Sequence, residues 1–120
     1  MARGEGGDAG PGAARPPQWT FLTNHAHVLL ALARDPHCRL RDVAALVGIT
    51  ERATQAIVAD LEAGGYLTRT RVGRRNVYRL HPQRRFRHPA ESRHRIGELL
   101  DLFVARPLDE GEDVPRARAL

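Results

Sequence analysis

The stretch GITERATQAIVADLEAGGYL, residues 48–67, decides the fold. Gly48 can take the positive φ of a tight helix exit, so it ends whatever helix precedes it. Thr50 suits an N-cap, and Glu51 puts a carboxylate at the positive end of the following helix dipole. Thr54, Ile57, Val58 and Leu61 then recur at i, i+3, i+4 and i+7, which makes one stripe to bury. Arg52, Gln55, Ala56 and Ala59 occupy the opposite face, all small or hydrogen-bonding. Gly64-Gly65 closes the helix. One side of it is built to pack, and a low polar side is left over.

Working back, Val43, Ala44 and Val47 predict a helix over residues 41–47. Ala44 lies four residues before Gly48, and Thr54 and Ile57 lie six and nine after it. That is helix-turn-helix spacing: the alanine lets two helices cross closely, the glycine turns the chain, and the later pair packs the second helix on the first. Further back, Val28, Leu29 and Leu32 predict a helix over residues 23–34, with Thr23 or Asn24 as its cap. Asp35-Pro36 ends it, because the residue before proline avoids the helical region. Residues 38–40 read as a short extended segment.

Working forward, residues 66–72 read as a strand, 73–76 as a turn and 77–80 as the returning strand. Tyr78 and Leu80 share one face of it and Arg79 takes the other. A linker rich in Arg and Pro leads to a last helix over residues 90–106, with Ile96, Leu99, Leu100, Phe103 and Val104 as its apolar stripe. The expected fold class is mainly α with a small antiparallel β-hairpin.

At 120 residues the chain holds one small domain. Residues 1–18 are rich in Gly and Pro, have little to bury and no apolar signal core, and are expected to be a disordered lead. Residues 107–120 read as a flexible acidic tail. No stretch approaches the ~18–20 apolar residues of a membrane span. Cys38 is the single cysteine, so no intramolecular disulfide is expected and a cytoplasmic setting follows. It reads as a small core residue rather than a redox switch.

Every basic residue is Arg, and their distribution is uneven. Residues 69–95 hold ten Arg against Glu91 alone, a local +9, while the remainder carries nine Arg against thirteen acids, −4; the two give the net +5. A basic block on a nearly neutral body points to a polyanionic partner, with a solvated Arg-rich surface as its rival. The leftover face of the central helix fits this. Small side chains let a helix enter the major groove, where Arg52 can pair with guanine and Gln55 with adenine. In the hairpin, Arg71, Arg74 and Arg75 surround the turn as a phosphate or minor-groove probe.

On LRDVAALVGIT, IVADLEAGGYLTR and VGRRNVYRL, residues 24–81 resemble the winged helix-turn-helix of bacterial transcriptional regulators of the MarR/ArsR-like kind. The resemblance implies base contact by Arg52 and Gln55 and backbone contact by Arg74 and Arg75. The full expected DNA-binding set is Thr50, Glu51, Arg52, Gln55, Ala56, Arg69, Arg71, Arg74, Arg75 and Asn76. The expected organisation is a winged helix-turn-helix over 19–82, then a basic linker and C-terminal amphipathic helix over 83–106 for dimerisation. Two departures stand out: Ala56 replaces the polar or basic residue common at that place, and Thr54 replaces an aliphatic one.

Trp19, Ile96, Leu99, Leu100 and Phe103, with Phe21 and Val104, exceed what a small helical core needs and are expected to form a homodimer seam. His25 and His27, two apart, face away from each other on a helix, and His37-Cys38 has no ligand-spaced partners, so no metal or other cofactor is expected. No nucleophile–base set, acidic pair or phosphate loop marks an enzyme. Two rivals to duplex binding stay open. One is a winged-helix module for protein–protein contact, which would expose an apolar patch on the central helix. The other is an ArsR-like sensor of a metal or of a small, unknown effector. If the basic block meets about four to eight phosphates per dimer, log affinity for duplex falls with log salt at a slope of roughly −4 to −7. A titration without salt dependence would favour the protein-contact module.

Overall fold

Thr23 starts the first helix as expected: its hydroxyl accepts the Ala26 N–H at 3.2 Å. The computed structural model describes residues 19–104; the lead over 1–18 and the tail over 107–120 lie outside them. Helix α1 (Asn24–Arg34) ends at Asp35, and helix α2 (Leu40–Val47) begins after a short loop. The loop is not a strand, but the Pro36 carbonyl accepts the Tyr78 N–H at 3.0 Å, so it lies alongside the hairpin. Gly48 exits α2 at φ +89°, and its N–H and that of Ile49 both bond the Ala44 carbonyl, at 2.8 and 3.0 Å.

Helix α3 (Glu51–Ala63) is capped by the Thr50 hydroxyl, which accepts the Ala53 N–H at 3.0 Å. Thr54 is fully buried, and its hydroxyl donates to the Thr50 carbonyl at 2.9 Å. The threonine in an aliphatic position is thereby explained: its one polar atom is satisfied inside its own helix, and the rest packs like valine.

The core departs from the expected stripe on α1. Five consecutive residues, Val28 to Leu32, are all buried. Successive helical positions turn by about 100°, so such a run covers every side of the helix. Accordingly α1 contacts α2, α3, strand β2 (Arg75–Leu80) and the last helix, α4 (Ile96–Phe103). It is the hub around which the other elements stand.

Strand β1 (Leu67–Val72) pairs antiparallel with β2 from Leu67↔Leu80 to Val72↔Arg75. Arg75 and Asn76, expected in the turn, are therefore strand residues, and the loop is only Gly73-Arg74. Gly73, at φ +63°, supplies the positive φ that a two-residue hairpin loop needs at its first position.

The last helix starts six residues later than the expected residue 90. Residues 84–95 instead form a closed loop. Arg85 and Arg95 bridge, the Phe86 N–H donates to the His94 carbonyl at 3.1 Å, and the Tyr66 hydroxyl donates to the Arg85 carbonyl at 2.6 Å. Arg95 caps α4, and Glu98 accepts its backbone N–H at 3.0 Å. That bond, with a second from His94, holds the Glu98 carboxyl below its usual range.

Ile96 corrects the expected dimer seam: it is 3 % exposed, already spent in the monomer core. Leu100 packs against the same core, and Leu99 is half-buried. Leu102 and Phe103 remain exposed, as do Trp19 and Phe21, whose rings meet edge-to-face at 5.1 Å. Among the described residues no helix is long and apolar enough to cross a membrane. Leu32→Ala, at the fully buried centre of the hub, should cost roughly 2–5 kcal/mol in urea unfolding. Leu46→Ala, on the exposed side of α2, should stay within about 0.5 kcal/mol of the parent. Equal losses at the two sites would contradict this core.

Candidate nucleic-acid interface

Burying Thr54, Ile57, Val58 and Leu61 turns the remaining side of α3 to solvent. Thr50, Glu51, Arg52, Gln55, Ala56 and Ala59 are all exposed there. Arg52 and Gln55, three apart, are neighbours on the helix surface. Among the described residues neither side chain is held by a hydrogen bond or ion pair. The Gly48 turn and the Thr50 cap together put Glu51 and Arg52 at the leading end of the helix.

The hairpin arginines, alike in the sequence, separate in the structure. Arg74 sits exposed in the two-residue loop with no side-chain partner among the described residues. Arg71 stays at the tip, its Nε donating to the Gly73 carbonyl at 3.2 Å. Arg75 donates through Nη2 to the His37 carbonyl of the α1–α2 loop at 2.9 Å. Arg69 is half-buried and donates to Glu62 Oε1 near the end of α3 at 2.9 Å. Asn76 is half-buried opposite Arg71. The structure thus leaves Arg52, Gln55, Arg71 and Arg74 exposed, with two of the expected arginines, Arg69 and Arg75, turned to the protein itself.

Three further cations on α2 and the hairpin, outside the expected set, are exposed. Arg39 caps α2 and Arg41 lies in its first turn, while Arg79 sits on the outer face of β2 opposite Thr68. Counting charge along the chain hid the first two, because acidic Asp35 and Asp42 flank them. The helix expected over residues 41–47 already has Arg41 in its first turn, and its start at Leu40 puts Arg39 at the N-cap.

The histidines do not gather. His25 pairs with Asp60 at 2.8 Å, His94 with Glu98 at 2.8 Å, and His81 meets the Thr68 hydroxyl at 2.6 Å. Among the described residues no three His, Cys, Asp or Glu side chains could share a metal ion. Cys38 packs against the core; burial, and then the nearby Asp35 charge, push its thiol up from the ordinary value, so it stays protonated at neutral pH.

An open groove of about 800 Å³ lies at the other end of α3 from Arg52. Leu29, Tyr66, Phe86 and Leu99 supply its apolar lining, and His25, paired with Asp60, stands on its wall with Arg84, Arg87, His88 and Glu91. The Arg84 guanidinium carbon stands 6.0 Å from the Tyr66 ring centre.

Residues 20–75 match a family model described as MarR family. Among solved structures, the chain is similar to the PcaV transcriptional regulator from Streptomyces coelicolor, determined in complex with its natural ligand. The two share 30 % identity over 50 % of this chain and 45 % of that one, with a TM-score of 0.45. The chain spans a little under half the length of that regulator. No curated protein matches it.

Proposed function

We propose that the chain, whose residues 20–75 match the MarR family model, binds duplex DNA in a sequence-reading manner and regulates transcription. One observation carries this: α3 presents an exposed, unpartnered Arg52 and Gln55 on a face without large apolar side chains, and the hairpin that follows it is basic. In this reading α3 enters the major groove. Arg52 and Gln55 reach base edges, while Thr50, Glu51 and Ala56 set the close approach. Arg74 and Arg71 at the hairpin tip meet the sugar–phosphate backbone or the minor groove. Arg39 and Arg41, at the start of α2, extend the same cationic surface.

The protein-contact alternative is disfavoured by the same face, which offers a partner no large apolar side chain. The groove at the far end of α3 supports a ligand-responsive form of the regulator, its lining part apolar and part charged, with Arg84, Arg87 and Glu91. Residues 19–82 act as the DNA-binding unit in this reading, and residues 83–106 join two copies. Leu102, Phe103, Trp19 and Phe21 are the apolar side chains left exposed for that purpose.

Arg52→Ala or Gln55→Ala should cost ~1–3 kcal/mol on the preferred site, little on random duplex, and relax one or two base positions. Arg74→Ala should weaken all sequences alike and flatten the salt slope by about one. Competition between specific and random duplexes across a salt series reads both. Equal losses on both duplexes for the α3 variants would remove base reading from that helix. In sedimentation the parent should be a dimer. Leu102→Glu with Phe103→Glu should give monomers with weak operator binding; a monomeric parent would end the dimer proposal.

A further inference from the structure

We propose that Arg69 and Arg75 are positioning residues: they brace the hairpin against the helix-turn-helix, and the charge it delivers to DNA comes from the other arginines. The proposal rests on the DNA-binding reading above and divides its cations into two jobs.

A two-stranded hairpin is marginal alone, and its direction must be imposed by the body it grows from. At its base, Leu67 and Tyr78 are buried and supply that anchor. Beyond them the apolar support stops. Thr70, Arg71, Val72, Gly73, Arg74 and Arg75 are all exposed, so no buried side chain fixes the outer half. Polar links have to do it.

The structure holds two such links, one on each strand. From β1, Arg69 Nη2 reaches Glu62 Oε1 at 2.9 Å, and Glu62 belongs to the last turn of α3. From β2, Arg75 Nη2 reaches the His37 carbonyl at 2.9 Å, in the loop that leads into α2. Arg75 lies opposite Val72 in the last pair before the turn, so this link acts near the tip. The same loop is already tied to the hairpin base by the Tyr78 N–H to the Pro36 carbonyl. The hairpin is therefore held to α3 on one side and to the approach to α2 on the other. Those are the two helices of the helix-turn-helix. Guanidinium suits the task because its planar, long-stemmed fork donates at a distance in a fixed direction.

A phosphate contact and a brace make different predictions. Losing a contact removes released counterions, so the salt slope changes. Losing a brace loosens the hairpin, so affinity falls while the slope stays. The test uses the full chain with Arg74→Met, Arg75→Met, Arg69→Met and Glu62→Ala. Glu62→Ala removes the acceptor of Arg69 while leaving every arginine in place. Amide hydrogen exchange without DNA, and salt-dependent binding to a random duplex, are the two readouts.

Arg75→Met and Arg69→Met should speed exchange of the hairpin amides by about three- to ten-fold. Duplex affinity should drop several-fold at every salt concentration, with the slope unchanged. Glu62→Ala should speed exchange of the β1 amides in the same way. Arg74→Met should leave exchange at the parent rate and lower the slope by about one. Parent-like exchange in Arg75→Met, Arg69→Met and Glu62→Ala would overturn the proposal, and so would a slope lowered by about one in either brace variant. If the parent binds no duplex at all, the DNA reading fails, and the exchange rates still decide the brace.

Discussion

The burial of α1 on all sides is the constraint from which the rest follows. A helix apolar on one stripe can sit at the edge of a domain, but one that buries Val28 to Leu32 in succession has to be surrounded. Helices α2 and α3, strand β2 and helix α4 do the surrounding. Each spends its apolar side on α1 and turns its other side out. The exposed face of α3 is thus a by-product of where its stripe must go. Its polar character is free to serve a partner because stability is drawn from the opposite side.

Much of this was legible in the sequence, and the parts that were not share a cause. Residues whose behaviour follows from near neighbours were readable: the Thr23 and Thr50 caps, the Gly48 exit, the stripe from Thr54 to Leu61. Features set by distant contacts were not. Leu30 and Ala31 look like solvent-side residues in a one-stripe helix, and only the arrival of four other elements buries them. Residues 90–95 have no strong helix breaker after Pro89, yet the bridge between Arg85 and Arg95 claims them for a loop. Ile96 belongs to the apolar stripe assigned to a partner, but that loop presses it into the core.

The candidate interface repeats the pattern. Exposure of Arg52 and Gln55 could be read from helical phase alone. The separate fates of Arg69, Arg74 and Arg75 could not, because each depends on what the folded body places within reach of a long side chain. Glu62 is seven residues from Arg69, and His37 is thirty-eight from Arg75. Charge counting treats all three as one block. Surface ion pairs of the Arg69–Glu62 type add little to stability, about 0–1 kcal/mol, so their worth lies in geometry.

The two-stranded sheet has a further consequence. Each strand has a partner on one side only, which leaves two open edges. Such edges invite strands from other molecules, a hazard for proteins that crowd onto neighbouring sites. On the β2 side the Pro36 carbonyl occupies the base of the edge. On the β1 side the sequence alternates Thr68, Arg69, Thr70 and Arg71, so a second copy adding its own β1 would bring like charges together. The arginines along β1 thus keep one hairpin from sticking to the next.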